Sequence, residues 1–395
     1  MPHPRFGRPL LAEWLLDPDI THLNHGTVGA TPRRVLAAQQ VIRDEIERQP
    51  PRYLLRELAE VGNGVPWPWK PRMRAAADVV AAHLGAGGKD LVFVDNATTG
   101  ANAVLRSLDL REGDEILVTN LGYGAVNLAA AYVARRARAT LRTLELPLPP
   151  ADPGAIVEAL AGAITPRTRL AIVDHITSES ALILPLAEIA ARCRARGVAV
   201  LGDGAHAPGV LPLDIPSLGV DWYTGNLHKW AFAPRSCGIL WASPGRQADL
   251  HPPVISWGLD QGFTAEFDWV GTRDPSPFLA APEGFAFARE LGVDAARAYR
   301  HDLAWSAATL LAARWGTELV APEAMVGAMV TVPMPARAGS TKEEGLALRN
   351  ALLFEDRIEV QLHAWRERLW VRVSAQVYNE IADVERLAGA VERRI

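Results

Sequence analysis

The sequence predicts an α/β protein with a mostly parallel sheet of seven strands, helices on both faces, and a smaller α+β part beside it. Three observations carry this. Strand-like and helix-like segments alternate from about Arg72 to Ala242, the pattern of a parallel sheet wrapped by crossover helices. The polar residues able to do chemistry fall just after the predicted strands, where open α/β sheets bind ligands. After about Pro244 the alternation stops and a different mixture of helices and strands begins.

The elements follow in order. Leu91-Val92-Phe93-Val94 is a short apolar run and reads as a strand, with a helix from about Thr99 to Leu108 after it. Glu115 to Thr119 is the next strand, then a helix from about Ala125 to Arg136. Leu141 to Leu146 reads as extended and Pro153 to Ala163 as helical. Arg169 to Ile176 is a buried strand. Pro185 to Arg196 is an amphipathic helix with proline at its start. Val198 to Leu201, Trp222-Tyr223 and Gly238 to Trp241 complete the sheet. A loop rich in Pro, Gly and Trp then runs to about Pro277. Helices are expected over about Phe278 to Leu291, Val293 to Trp315 and Lys342 to Phe354, and strands over Val326 to Val332, Ile358 to Leu362 and Leu369 to Val373. A last helix covers about Asn379 to Arg394. This divides the chain into a large domain, 60–255, and a smaller one formed by 256–395 with 1–59, the N-terminal segment packing there or across a subunit interface.

Composition bounds the function. The 395 residues are 49% hydrophobic and 22% charged, as in a globular enzyme. A formal net charge of -4 leaves no basic footprint for nucleic acid, and Arg135-Arg136-Ala137-Arg138 reads as the solvated end of a helix. Two cysteines, Cys193 and Cys237, are too few for a disulfide framework and fit a reducing compartment. Met1 to Leu16 has no unbroken apolar core, and no run is long enough to span a bilayer. The expectation is a cytoplasmic protein with no membrane partner. No His/Cys/Asp/Glu cluster has zinc-ligand spacing, so no metal is expected.

The chemistry concentrates in Leu201-Gly202-Asp203-Gly204-Ala205-His206 and Thr224-Gly225-Asn226-Leu227-His228-Lys229-Trp230. A strand ends in an Asp, and a second strand ends in a polar turn carrying one Lys. A lysine so presented can form a Schiff base with an aldehyde cofactor, and the aspartate can pair with a pyridinium nitrogen. Together they point to pyridoxal 5'-phosphate. Lys229 lies between apolar Leu227 and Trp230 in a chain poor in Lys relative to Arg, which sets it apart from a surface lysine. Its freed amine can act as the base at Cα. Thr98 and Thr99 fall at a predicted helix start, where free N–H groups and hydroxyls bind phosphate; a plain threonine cap is compatible with that role.

Asn96-Ala97-Thr98-Thr99-Gly100, Asp203-Gly-Ala-His206, Asn226-Leu-His228-Lys229, Gly271-Thr272-Arg273-Asp274 and Arg372-Val-Ser374 occur in the order seen in class V aminotransferases, of the fold type I pyridoxal phosphate enzymes, which the chain resembles over nearly its whole length. Leu23-Asn24-His25-Gly26-Thr27-Val28-Gly29, Tyr123-Gly124-Ala125-Val126 and Gly271-Thr272-Arg273-Asp274-Pro275-Ser276 make it most similar to the isopenicillin N epimerase-like branch. The resemblance implies a homodimer in which Thr272 reaches the phosphate of the partner subunit's site. It implies that His206 bonds the cofactor's phenolic oxygen or covers the ring, that Asn226 and His228 contact the phosphate, and that Tyr123 stacks on the pyridine. Many relatives carry Ser where Asn226 stands. Arg372 would hold the substrate α-carboxylate, the alternative being a surface strand arginine beside Arg366 and Arg368. Asn24 and His25 are candidates for the pocket mouth, Ser178-Glu179-Ser180 for substrate contact, and Trp67-Pro68-Trp69 and Trp257 for its walls.

The expected reaction is at Cα of an amino acid or amino-acid conjugate. Epimerisation comes first, from Lys229 on one face and Tyr123 on the other. A C–S lyase or an aminotransferase fits the same residues. A cysteine desulfurase ranks low, because no Cys follows Cys237. A non-catalytic binding protein of this fold is the remaining alternative, and intact Lys229, Asp203 and Arg372 argue against it.

Overall fold

The computed structural model describes residues 6–59, 68–148 and 152–395. Its centre is a seven-stranded sheet. The strands are β1 (Leu91–Val94), β2 (Glu115–Thr119), β3 (Thr140–Leu144), β4 (Thr168–Asp174), β5 (Ala199–Gly204), β6 (Trp222–Asn226) and β7 (Gly238–Ala242). Their order across the sheet is β1-β7-β6-β5-β4-β2-β3, and β7 alone runs against the rest. Alternate residues of each strand enter different cores, because side chains along a strand point to opposite faces. Val92, Val94, Ile116, Val118, Leu170 and Ile172 pack into one cluster; Leu91, Phe93, Leu117, Ala171 and Val173 pack into the other. Both faces being covered, β1, β2 and β7 are buried at every position. Edge strand β3 is the exception, and its Thr140, Arg142 and Thr143 stay exposed or half-exposed.

The covering helices include α1 (Ala97–Arg106), α2 (Gly124–Ala137), α3 (Pro153–Ala163) and α4 (Leu186–Arg194). Beyond them α5 (Val293–Trp315) packs on a three-stranded antiparallel sheet of β8 (Met329–Pro333), β9 (Gln361–Trp365) and β10 (Arg368–Ser374). Helices α6 (Lys342–Phe354) and α7 (Ile381–Glu392) belong to the same layer. The N-terminal segment joins it: Thr21–His22 pairs in parallel with Ile358–Glu359, and Asn24 bridges to Ser374.

Several boundaries differ from the expected ones for local reasons. Helix α1 begins at Ala97, not Thr99, because the Asn96 side chain caps it by accepting from Thr99 N at 2.9 Å. Pro185 is the residue before α4 rather than its first. The strand expected over Ile358 to Leu362 breaks at Val360, where the chain passes from the pairing with Thr21–His22 to the pairing with β10. The loop after Pro244 contains a short helix, Phe263–Asp268. The helix expected from Phe278 to Leu291 is two, Ser276–Leu279 and Ala281–Leu291. Among the described residues no helix is long and apolar enough to cross a membrane.

Candidate active site

Parallel pairing places three strand ends side by side. Asp174 at the end of β4 is in register with Asp203 on β5, and Asp203 with Thr224 on β6. Beyond β6 the chain turns sharply: Leu227 N and His228 N both donate to the Cys237 carbonyl, at 3.0 and 3.2 Å. Leu227 and Trp230 are buried in the core on either side of the turn. The Lys229 side chain is thereby driven into a cavity of about 450 Å³ at the strand ends. Thr98, Thr99 and Asn226 line one part of it; Tyr123, Asp174, His206 and His228 line others, with Thr27 and Ser178.

Lys229 Nζ lies 3.2 Å from His206 Nε2. Burial, and then the Arg372 charge, push the amine down to about 7. Trp230 Nε1 donates to His206 Nδ1 at 3.5 Å, so neutral His206 carries its proton on Nε2. That N–H then points at Nζ, which must accept through a lone pair. The bonding and the electrostatics both favour an uncharged amine, the nucleophilic form. His206 itself is held well below the ordinary histidine range by burial and by Lys229.

Asp203 is 1% exposed. Its Oδ1 accepts Ala205 N–H at 2.9 Å, while Oδ2 is buried with no partner among the described residues. Burial raises its carboxyl, tempered by that N–H and by Lys229. Asp174 is pushed up further, by burial and then by Asp203, since adjacent buried carboxylates resist ionising together. The β4–β5 register sets Asp174, which lines the cavity, beside Asp203, which does not itself line it.

The start of α1 forms one end of the cavity. Asn226 Oδ1 accepts Ala97 N–H at 2.8 Å, tying the helix start to β6. Thr99 is engaged with Asn96 through its amide and its hydroxyl, at 2.9 and 3.2 Å. Thr98 keeps both its N–H and its hydroxyl free of partners among the described residues, so it is the better anion ligand of the two. His228 Nδ1 meets the Cys237 carbonyl at 2.9 Å and therefore carries the proton, leaving Nε2 bare. Burial depresses this ring to about 4.

Arg372, from β10, is 3% exposed and has no carboxylate partner among the described residues. It donates to the Ser178 carbonyl and to Thr27 Oγ1, each at 2.7 Å, and more weakly to Asn24 Oδ1 at 3.4 Å. Its Nε has no partner, and burial lowers it to about 10. Arg372 thus stands just behind Thr27 and Ser178 of the cavity wall.

Two residues expected at the mouth lie elsewhere. His25 is fully buried, with Nε2 against the Lys229 carbonyl at 2.9 Å and Nδ1 against Tyr378 Oη at 3.0 Å. It braces the Lys229 backbone instead of meeting solvent. Asn24 is also buried, and its amide donates to Glu359 Oε1 at 2.7 Å. Tyr123, 43% exposed, precedes α2 and does line the cavity. Of Ser178-Glu179-Ser180 only Ser178 does so. Trp69 and Trp257 are exposed and do not line the cavity; Trp67 lies outside the described residues. Thr272 is exposed on its loop and does not line this chain's own cavity.

Comparison with known proteins places this geometry in context. A family model described as aminotransferase class-V matches residues 66–387. The isopenicillin N epimerase of Streptomyces clavuligerus is 35% identical, with 96% of both chains covered. An L-cysteine desulfhydrase of Arabidopsis thaliana is 31% identical, covering 97% of this chain and 91% of that one. Among solved structures, a C-DES mutant with glycine covalently linked to its PLP cofactor superposes with a TM-score of 0.79 at 22% identity, covering 97% of each chain. At that identity the likeness speaks to the fold.

Proposed function

Since this chain belongs to the aminotransferase class-V family, we propose that it is a pyridoxal 5'-phosphate enzyme acting at Cα of an amino acid, isopenicillin N epimerase-like. The observation that carries the reading is a buried, depressed amine at Lys229 in the cavity, near enough to feel the charge of Asp203, whose buried Oδ2 has no partner among the described residues. The residues present fit the cofactor: an amine for its aldehyde, a buried carboxylate oxygen without a partner for its ring nitrogen, and a helix start for its phosphate. When bound, it would supply a ring that draws electrons away from Cα.

The protein's part follows from its own groups. Asp203 Oδ2 would keep a proton on the ring nitrogen. Thr98, Thr99, Asn226 and His228 hold the phosphate, and Thr272 of each subunit completes the other's site in a homodimer. The exposed apolar loop Val254, Ile255, Trp257 and Leu259 supports that association. Tyr123, on the cavity wall, would cover one ring face, and His206 lies against Lys229. Arg372, already oriented by Thr27, Ser178 and Asn24, takes the substrate carboxylate. Lys229, as a neutral amine, would take the Cα proton. Tyr123, with its hydroxyl, returns a proton to Cα from the other face, which is the reason epimerisation is the first reading.

A C–S lyase is the second reading. Cysteine desulfhydrase relatives match as much of the chain at 31–33% identity, and elimination needs Lys229 without an opposite-face acid. An aminotransferase would use Lys229 to move the proton to the cofactor carbon. The cysteines speak against a desulfurase, since both are buried and burial pushes both thiols up. Incubating the holoenzyme with L- and D-amino acids in D₂O tests the set. Deuterium at Cα without keto acid supports the epimerase; pyruvate with released thiol would replace it by the lyase, and keto acid with pyridoxamine phosphate by the aminotransferase. Absence of any cofactor bond to Lys229 after borohydride reduction would end the reading altogether.

A further inference from the structure

Lys229 and Arg372 stand on different sheets. Lys229 follows β6 of the seven-stranded sheet, and Arg372 lies on β10 of the three-stranded one. The two sheets share no strand pairing among the described residues, so no ladder sets how far the amine stands from the guanidinium. One short segment touches both. Asn24 to Gly29 is a single helical turn, His25–Val28, with the residue on either side of it. The Leu23 carbonyl accepts Ser374 N–H at 2.8 Å, which fixes the segment to the end of β10. A Cβ on Gly26 would fall 3.0 Å from Ser374 Oγ and 3.3 Å from Trp230 Cζ2, so the turn is closed in between β10 and the Lys229 turn. On Gly29, at φ 70°, a Cβ would fall 1.9 Å from the His228 carbonyl oxygen and 3.0 Å from Lys229 Cα. Only glycine lets the chain pass that close in that conformation.

The side chains of the segment divide between the two groups. His25 Nε2 meets the Lys229 carbonyl at 2.9 Å; a carbonyl can only accept, so Nε2 carries the proton and Nδ1 accepts the Tyr378 hydroxyl at 3.0 Å. Burial holds this ring down at about 3, so it stays neutral and the polarity of the chain does not reverse. Toward Arg372, Thr27 Oγ1 accepts from Nη2 at 2.7 Å and donates its own proton to Asn24 Oδ1. The Asn24 amide gives its N–H to Glu359 Oε1 at 2.7 Å, which keeps its oxygen turned toward Thr27 and Arg372 Nη2.

We propose that Asn24 to Gly29 is a positioning element of the site, in which His25 and Gly29 hold the Lys229 main chain while Asn24 and Thr27 hold the Arg372 guanidinium. The inference rests on the reading of Lys229 as the base and Arg372 as the carboxylate holder. An amino acid carries its carboxylate directly on Cα, so a base for Cα and an arginine for the carboxylate must keep one separation. A misplacement of about 1 Å can cost roughly a hundredfold in rate. The segment maintains that separation by spanning the two sheets. Thr27 lines the cavity, but Asn24 and His25 do not, so these two act through Arg372 and Lys229.

Two measurements on the full chain separate the two halves. In the first, apoenzyme is mixed with pyridoxal 5'-phosphate and bonding to Lys229 is followed by absorbance. In the second, holoenzyme is titrated with L-alanine or with ethylamine, which is alanine without its carboxylate. Borohydride trapping and mass measurement then show whether the cofactor is bound to Lys229 or to the added amine. His25→Phe should slow capture roughly tenfold and leave the preference for alanine over ethylamine within about twofold. His25→Gln, whose amide N–H can reach the same carbonyl, should recover part of the rate, and Tyr378→Phe should give a smaller loss of the same kind. These two variants carry the test if His25→Phe does not fold. Thr27→Val should do the reverse, cutting the alanine preference roughly tenfold with capture within about twofold of wild type. Asn24→Ala should follow Thr27→Val. Variants of both sets that change both readouts alike, or neither, would overturn the proposal while leaving Lys229 and Arg372 in their roles. A wild type that bonds the cofactor at Lys229 but prefers alanine no more than ethylamine would end the Arg372 reading, and this inference with it.

Discussion

At the scale of single residues, Arg372 and Lys229 can be tested together because the Arg372 charge acts on the Lys229 amine. Arg372→Ala removes a buried cation poised for a carboxylate, and kcat/KM should fall by roughly 30- to 1000-fold, mostly through KM. Cofactor affinity should change little; a large loss there would move Arg372 to the phosphate or framework set. The Lys229 amine, neutral above about 7, should capture free pyridoxal phosphate faster as pH rises through that value. Arg372 contributes to the depression, so the midpoint should move upward in Arg372→Ala. An unmoved midpoint in stopped-flow capture would show that burial alone sets it. His228 should respond oppositely: with Nε2 bare and the ring depressed to about 4, a phosphate dianion beside it should raise its pKa. NMR titration of apo- and holoenzyme checks this.

At the scale of elements, the start of α1 is held against β6 by close packing. A Cβ on Gly100 would lie 2.2 Å from Thr224 Oγ1 and 3.0 Å from Thr224 Cβ. Thr224 cannot easily retreat, since its hydroxyl donates to the carbonyls of Ala97 and Ile239. Gly100→Ala should therefore push α1 off the sheet, costing about 1–3 kcal/mol of stability and weakening phosphate binding at Thr98. Adding Thr224→Ala should recover part of the loss. Equal stability in Gly100→Ala and wild type would mean the helix can slide without cost. The glycine's place in the Asn96 to Gly100 motif was readable in the sequence. Its reason was not, because the contact is with a residue far along the chain.

For the molecule as a whole, acid stability follows from its buried histidines. His22, His25, His175, His206, His228 and His363 all have folded pKa values below the ordinary one, mainly through burial. Between the unfolded value and these lowered values the unfolded chain binds more protons, so stability falls as pH drops from about 6.5 toward 4. Asp174 and Asp203, raised by burial, act in the opposite sense, but the six histidines outnumber them. Urea unfolding of the apoprotein should give a clearly lower free energy at pH 5 than at pH 6.5; a flat or rising profile would contradict these burial assignments.

The α/β class, the sheet's strand segments and the Lys229, Asp203 and Thr98 positions were all legible from local patterns: apolar runs of strand length, punctuating turns, and polar residues just after them. These are properties of a few neighbouring residues, and neighbours in sequence are already neighbours in space. What only the folded chain decided were the pairings over distance. The β4–β5 register set Asp174 beside Asp203. The N-terminal segment brought His25 under the Lys229 backbone rather than to the pocket mouth, and α5 carried Arg300 into the core behind Trp230. Such placements depend on which distant surfaces bury one another, and no local run of residues encodes that.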